Sequence, residues 1–371
     1  MPTANEALHH YVPEWYQKRF MQPGDSKMWY LDLETDRALG AKEKKSDKNK
    51  IYYRPIKYCF SMPGLYSLKS FSFSSNFLEE HFFGKIDVQG KRAIEILTND
   101  DFFKADIQKT INNLIRYLTT QYFRTPRGIG IIMALLGDDL MRLSPSGVQN
   151  KVLGIMQRLA GFWGTTWLEG VWEIFSAEQS ETKLLLSDCP VLTYNPACFP
   201  RSNSCLFPND PFIGWIGTQT LFCLSKEKLL VLTNRDNLKQ GTENSWTKTR
   251  KNFNPYRQTV FNIMDIIRER RLDHLRVKQI NNLLKQRSYN YIASSRRDWL
   301  FPEDEVRIKW KDYLDILLPP KDKVILKYKT IIKYTDGRTF GMDQDGKQFD
   351  ARREYEEMQE ILKRALEKRK Q

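Results

Sequence analysis

Apolar residues recur at helical spacing through the first half of the chain. Between residues 76 and 99 they form one stripe, made by Phe77, Leu78, Phe82, Ile86, Ala93, Ile94 and Leu97. This spacing places the side chains on one face of a helix, which we therefore predict over 76–99. A second stripe runs from 107 to 118, and we expect Pro126 to end or kink that helix because proline lacks the backbone N–H. A third helix is predicted over 145–160.

The pattern changes near Lys183, where short apolar runs bounded by turn residues replace the helical stripes. The runs "LLLSDCP", "FIGWIGTQTLFCLS" and "KLLVLTN" predict strands, as does "KMWYLDL" at 27–33. Helical spacing returns over 256–296. After Pro319-Pro320, apolar and charged residues alternate around two Asp-Gly turns, which predicts a β-hairpin or a small meander. Glu and Lys pairs at i,i+4 predict a terminal helix over 351–371.

These elements predict an α+β fold, because helices and strands come in blocks rather than in regular βα alternation. We expect residues 1–300 to form the main domain, a mainly helical body with a central, mostly antiparallel small sheet. Residues 319–371 are expected to form a C-terminal appendage, made of the β-hairpin and the terminal helix.

The chain is strongly basic. Its 371 residues include 59 Lys and Arg against 45 Asp and Glu, which gives a net charge of +14. A cationic surface attracts phosphate polymers, so nucleic acid is the expected partner, and the appendage over 319–371 is an expected docking element for a protein. No apolar run approaches the roughly 18 residues of a membrane span, and no signal-peptide pattern opens the sequence. Since the five cysteines contain no C-x-x-C pair, we expect a reduced, cytoplasmic protein without structural zinc and without a membrane partner.

The nucleotide-loop, serine-hydrolase and zinc-protease motifs are absent from the sequence, so the candidate chemistry lies in single polar residues. His9 and His10 are two of only four histidines, and they precede Val12 and Pro13. Proline restricts Val12 to extended geometry, so the histidines lead into a rigid segment. An imidazole there can serve as an acid, a base or a ligand, whereas the alternative is a histidine that hydrogen-bonds within the core.

Two carboxylates on the first predicted helix are candidate metal ligands. Glu80 and Asp87 are seven residues apart, which is two helical turns, so both side chains share one face. With a third carboxylate from elsewhere they would suit Mg²⁺ or Mn²⁺, which prefer oxygen ligands. The alternative is an acidic edge exposed to solvent.

Three further polar residues stand at the ends of predicted elements. Gln121 and Arg124 are separated by i,i+3 just before Pro126, where the guanidinium can hold a phosphate or one of the two carboxylates. Asp188 follows directly after a predicted strand, which holds its carboxylate rigidly at the edge of a sheet. The alternative for Asp188 is a turn cap.

Taken together, "HHYVPEWYQKRF", "LEEHFFGKID", "QYFRTP", "LLLSDCPV" and "VKQINNLLKQRSYNYIAS" resemble the bacterial and fungal family catalogued as domain of unknown function 4238. Tyr16 matches the family's opening tyrosine, whereas Gln17 stands where leucine is usual and Cys189 where asparagine is usual. The resemblance covers about residues 8–295. It implies no known activity, but it implies that the histidine, acidic and arginine residues belong to one set: His10, Glu80, Asp87, Arg124 and Asp188.

Two classes of function follow from this set. In the first, the protein is a metal-dependent nuclease that acts on nucleic acid, with a role as an effector of a bacterial defence or toxin system. Glu80, Asp87 and Asp188 would hold the metal, His10 would move a proton and Arg124 would stabilise phosphate charge; the residues assigned to substrate binding are His9, Gln121, Trp15 and Arg19. In the second, the protein is a nucleic-acid- or protein-binding subunit, and the same set is a buried polar network that pins the N-terminal segment to the helical core.

Overall fold

The computed structural model describes residues 8–33, 51–63, 65, 83–99, 106–137, 145–200, 202–206, 209–250, 258–261, 263–268, 270–324, 329–333, 336, 338–343 and 347–368. Its α-helices are α1 (Glu14–Gln17), α2 (Gly84–Asn99), α3 (Ile107–Phe123), α4 (Pro126–Leu136), α5 (Pro145–Leu168), α6 (Arg235–Gln240), α7 (His274–Arg287), α8 (Tyr313–Leu317) and α9 (Ala351–Lys368). Its strands are β1 (Leu8–His10), β2 (Lys27–Asp32), β3 (Ile51–Pro55), β4 (Ser61–Pro63), β5 (Val171–Ser176), β6 (Leu186–Ser187), β7 (Val191–Tyr194), β8 (Gln219–Ser225), β9 (Lys228–Thr233), β10 (Gln258–Val260), β11 (Tyr291–Ser294), β12 (Lys329–Lys333), β13 (Thr339–Asp343) and β14 (Gln348–Phe349).

The predicted α+β class is confirmed. The helices accompany small sheets whose paired strands run antiparallel. One four-stranded sheet has the order β3-β2-β11-β6, and a second has the order β5-β9-β8-β7. The strands of the second sheet are buried on both faces, which explains why "KLLVLT" reads as a continuous apolar run rather than an alternating one.

The helical layer follows the apolar stripes. On α2, the predicted stripe residues Ile86, Ala93, Ile94 and Leu97 are buried, and this face packs against α3. The break predicted near Pro126 is also confirmed, because α3 ends at Phe123 and α4 begins at the proline itself. Proline is tolerated at the first helical position, where its missing N–H would lack a helical partner in any case.

The N-terminal segment 8–20 runs through the interior, between the helices and the second sheet. β1 pairs with β4, and the Tyr11 N–H donates to the Phe60 carbonyl at 3.1 Å. Val12, Tyr16 and Phe20 are buried. The Tyr16 ring stacks on the β8 residue Phe222, with ring centroids 5.3 Å apart, so this segment lies directly on the sheet.

The helix expected over 256–296 is wrong in its first half. Among the described residues between 256 and 273, the regular elements are the short strand β10 and a 3-10 turn at 263–265. The helix α7 begins only after the cap residue Asp273. Ile267 instead lies beside the edge of β5, where it accepts a hydrogen bond from the Ile174 N–H (2.8 Å) and donates one to the Trp172 carbonyl (3.0 Å). An open strand edge offers backbone partners to an extended chain, and this tertiary pairing overrides the helical spacing of the apolar residues.

The C-terminal hairpin is present, and it belongs to a larger sheet. β12 and β13 pair as predicted, and β10 and β14 extend them to the order β10-β12-β13-β14. In that sheet Gln258 lies opposite Ile331. The pairing joins the chain before residue 300 to the chain after 319, so the two predicted regions share a sheet. The terminal helix is α9.

The close approach of α2 and α3 gives a testable prediction. A Cβ added at Gly90 would lie within 2.7 Å of three atoms of the Tyr117 side chain. We expect Gly90→Ala to lower the free energy of unfolding by about 1–3 kcal/mol, because overpacking outweighs the helix propensity of alanine. Gly161→Ala on α5 is the matched control, because nothing lies within 4 Å of its added Cβ, and it should be neutral or stabilising. Urea unfolding measures both, and a Gly90→Ala protein as stable as the parent would contradict the packing.

Candidate functional site

Three of the residues that the sequence singles out, Gln121, Arg124 and Asp87, form a chain of hydrogen bonds that ends on the backbone carbonyl of Tyr11. The Gln121 side-chain amide donates to this carbonyl at 2.8 Å, and its Oε1 accepts from Arg124 Nε at 2.7 Å. Arg124 Nη1 in turn donates to both carboxylate oxygens of Asp87, at 2.9 and 3.0 Å. We call this chain of groups, from the Tyr11 carbonyl through Gln121 and Arg124 to Asp87, the Tyr11–Gln121 network. It joins α2, the end of α3 and the N-terminal segment.

Burial makes the Tyr11–Gln121 network structurally demanding. Gln121 is fully buried and Arg124 is 2% exposed. The guanidinium also lies 5.7 Å from the centre of the Tyr117 ring and 5.8 Å from that of Phe83. A buried arginine requires hydrogen-bond acceptors for its N–H groups. The sequence predicts either a phosphate or a carboxylate as the partner of Arg124, and in the structure that partner is the Asp87 carboxylate.

A second glutamine fixes the same segment from its other side. The Gln17 side-chain amide donates to the Val12 carbonyl at 2.8 Å and to the Cys59 carbonyl at 3.1 Å. Gln17 stands where the resemblance expects leucine, and here its amide performs a task that leucine cannot. The Gln17 amide therefore links the turn after Pro13 to the residue before that proline and to the residues that precede β4.

Trp15 and Arg19, which the sequence assigns to substrate binding, make contacts within the protein. The Trp15 ring lies 5.4 Å from the Tyr117 ring of α3. Arg19 donates to the Leu224 carbonyl at 2.6 Å and to Thr98 Oγ1 at 2.9 Å, which links the segment to β8 and to α2. Both residues thus extend the same anchoring of the N-terminal segment.

The two histidines have different surroundings. His9 is fully buried in β1, and burial, with the neighbouring His10, lowers its pKa, so its neutral form is favoured. His10 is partly exposed, and its Nε2 lies 3.0 Å from the Lys57 carbonyl and 3.6 Å from Glu14. Because a carbonyl only accepts, Nε2 carries the proton in this contact.

Asp188 binds backbone groups of another part of the chain. Its carboxylate accepts from the N–H groups of Tyr289, Asn290 and Tyr291, at 2.8, 2.5 and 2.9 Å. These residues connect α7 to β11, which pairs with β6 immediately before Asp188. The carboxylate therefore caps a distant turn, and charge-assisted hydrogen bonds of this kind are among the stronger ones.

The structure thus brings together part of the predicted set. Asp87, Arg124 and Gln121 are joined directly, whereas Asp188 bonds to the turn at 289–291. Glu80 lies outside the described residues. Within the part of the chain that is described, no group of three or more His, Cys, Asp or Glu side chains is arranged to hold a metal ion. The Mg²⁺ or Mn²⁺ site stays a prediction.

A second buried charge cluster was not recognised from the sequence. Asp210 accepts from Arg127 at 2.6 Å, from Arg287 at 2.5 Å and from the Tyr122 hydroxyl at 2.6 Å. Burial alone would raise the pKa of Asp210, but the two guanidiniums outweigh it and hold the pKa below its ordinary value. We call these four residues the Asp210 cluster. They line a cavity of about 10 Å³, enough for one water molecule.

An exposed aromatic and basic surface surrounds β3. Tyr52, Tyr53 and Tyr58 are 42%, 49% and 51% exposed. The Tyr53 ring lies 4.9 Å from the Trp29 ring of β2 and 5.8 Å from Lys27 Nζ. Lys57 Nζ lies 4.8 Å from the Tyr58 ring. We call this the β3 surface, and it consists of Lys27, Trp29, Tyr53, Lys57 and Tyr58, because Tyr52 lies opposite Tyr30 on the other face of the strand pair.

Comparison with known proteins adds no relative. No family model matches the chain, and neither the curated proteins nor the solved structures contain a significant match. The resemblance described above therefore stays a prediction. Within the described residues, no helix is long and apolar enough to cross a membrane.

The Tyr11–Gln121 network predicts a large effect of a change at Gln121. Gln121→Met keeps the size of the side chain but removes the donor to the Tyr11 carbonyl and an acceptor of Arg124. We expect the free energy of unfolding to fall by about 1–3 kcal/mol, because buried polar groups lose their partners. Gln108→Met, at an exposed position on the same helix, is the control and should change stability by less than about 0.5 kcal/mol. Equal stabilities of Gln121→Met and the parent in urea would contradict the stabilising role of the Tyr11–Gln121 network.

A buried carboxylate in β5 gives a prediction on pH. Glu173 is 1% exposed, and burial raises its pKa to about 7 although Arg270 lies 3.0 Å away. The folded protein then binds the Glu173 proton more tightly than the unfolded chain does, so the stability contributed by protonated Glu173 is lost as pH rises from about 4.5 to about 7. The corresponding loss in the free energy of unfolding is roughly 3 kcal/mol.

We expect Glu173→Gln to reduce the fall in unfolding free energy between pH 5 and pH 8. Urea unfolding at several pH values measures this dependence. Glu178→Gln, a change at an exposed carboxylate that pairs with Lys228, controls for the loss of one negative charge. An unchanged pH dependence in Glu173→Gln would show that Glu173 is ionised throughout this range.

Proposed function

We propose that this protein binds single-stranded nucleic acid through the β3 surface and acts as a binding subunit. The observation that carries the proposal is the exposure of Tyr53 and Tyr58, each of which lies close to a lysine ammonium group. Unpaired bases stack on aromatic rings while lysines contact the phosphates, and a surface that offers both favours single strands over duplexes.

The charge of the chain supports the same partner. The sequence "GAKEKKSDKNK" at 40–50 contains five lysines and ends at the residue before β3. With a net charge of +14, the protein attracts polyanions from a distance, and the aromatic side chains then provide short-range contacts.

The contacts of the predicted catalytic residues favour binding over hydrolysis. Arg124 and Asp87 bind each other in the Tyr11–Gln121 network, and Asp188 accepts three backbone N–H groups. A catalytic group must reach its substrate, and these side chains are directed to partners within the fold. The predicted nuclease remains the second candidate, and the same experiment separates the two.

The test is fluorescence anisotropy with labelled single-stranded RNA, single-stranded DNA and duplex DNA of equal length. We expect the single strands to bind more tightly, with an affinity that falls as salt is added. Tyr53→Ala and Tyr58→Ala should each weaken binding by about 5- to 100-fold, because the loss of one stacked base costs about 1–3 kcal/mol. Thermal melting should confirm that both variants stay folded.

A charge-matched pair of variants separates a local site from general attraction. Lys57→Gln changes a lysine of the β3 surface, and Lys311→Gln changes an exposed lysine that pairs with Glu243. Only the first should weaken binding several-fold. Equal binding by wild type and the tyrosine variants would overturn the proposal, as would an affinity independent of salt. Cleavage of the probes in Mg²⁺ or Mn²⁺, abolished by EDTA, would favour the nuclease instead.

A further inference from the structure

Two of the five cysteines lie against each other and against an arginine. Cys198 and Cys205 belong to the turns that follow β7, and both are buried. The Cys198 thiol donates to the carbonyl of Ser204, the residue before Cys205, at 3.2 Å. Arg287 Nη1, at the end of α7, lies 2.7 Å from Cys205 Sγ. The Cys198 thiol is therefore held against the backbone next to Cys205, and a guanidinium contacts the Cys205 sulfur.

We propose that Cys198 and Cys205 form a peroxide-reactive dithiol, in which Cys205 is the attacking thiolate and Cys198 the resolving thiol. A thiolate beside a guanidinium is stabilised in its nucleophilic form, and a second thiol held against the neighbouring residue can close a disulfide over a ring of eight residues. Cys205 is flanked by exposed residues, Ser204 and Leu206, so only its own turn separates it from solvent.

The electrostatic environment distinguishes Cys205 from the other cysteines. The neighbouring Cys198 thiol lowers the pKa of Cys205, burial opposes this effect, and Arg287 adds to the lowering. Burial raises the pKa of Cys59, Cys189 and Cys223, which keeps them as thiols. Cys59, Cys189 and Cys223 therefore serve as internal controls, because they are buried like Cys205 but remain protonated thiols.

The reaction balances with one hydroperoxide. The Cys205 thiolate attacks one peroxide oxygen, the O–O bond breaks, and with one proton the products are a sulfenic acid at Cys205 and water. The Cys198 sulfur then displaces the sulfenic hydroxyl, its proton leaves with that group as a second water, and the disulfide forms. Two thiols are oxidised and one hydrogen peroxide is reduced to two waters. The contact between Arg287 Nη1 and the Cys205 thiolate is lost in this step. Arg287 keeps its contact with Asp210, which it makes through Nη2.

The experiment treats the full chain with hydrogen peroxide, blocks free thiols with iodoacetamide and maps tryptic peptides by mass spectrometry. Trypsin cleaves after Arg201, so a Cys198–Cys205 disulfide links two peptides that separate on reduction. Because these peptides also contain Cys189 and Cys223, fragment spectra of the linked pair assign the bond. We expect this disulfide at peroxide concentrations about tenfold below those that oxidise Cys59, Cys189 or Cys223.

Variants assign the two roles. Cys198→Ser should leave a sulfenic acid at Cys205 that dimedone traps, whereas Cys205→Ser should abolish the reaction at Cys198. Arg287→Gln should slow disulfide formation several-fold, and if that variant unfolds, the wild-type rate measured against pH gives the same information. Absence of the linked peptide, or equal oxidation of all five cysteines, would overturn the proposal.

Discussion

The structure depends on one hydrogen-bonding requirement, which is that a buried N-terminal segment must find partners for its backbone carbonyls. The Tyr11 N–H still pairs with the Phe60 carbonyl, but within the described part of the chain the carbonyls of Tyr11 and Val12 have no strand partner. Side-chain amides satisfy them, with Gln121 bound to the Tyr11 carbonyl and Gln17 to that of Val12. An unpaired buried carbonyl costs about 1–3 kcal/mol, so these amides decide whether the segment can stay inside.

This requirement changes how the functional candidates are interpreted. Histidine, arginine and carboxylate residues close together suggest chemistry, yet here Arg124 orients the amide that holds the backbone, and Asp87 holds Arg124. Asp188 has a comparable role at the turn between α7 and β11. The groups available to a partner lie elsewhere, on the tyrosines and lysines around β3. Interior polar residues thus build the scaffold, and we propose that the β3 surface provides the recognition.

Local periodicity predicted much of the fold, and long-range contacts explain what it missed. The buried face of α2 and the break before Pro126 follow from spacing and from proline chemistry. Ile267 and Arg271 follow a stretch with helical spacing but pair with the edge of β5, which no local pattern reveals. At the site, the spacing of Gln121 and Arg124 indicated that the two act together. Their backbone partner, 110 residues away in sequence, is visible only in the folded protein.

The most direct test of this account is native-state hydrogen exchange at the Tyr11 amide, which donates to the Phe60 carbonyl. If the side-chain amides lock the N-terminal segment into the core, this proton exchanges only through global unfolding. Its opening free energy should then agree within about 1 kcal/mol with that of amides in the β8–β9 pair at the centre of the second sheet. Exchange through a local opening several kcal/mol less costly would contradict the account, because it would show that the segment detaches while the core stays folded.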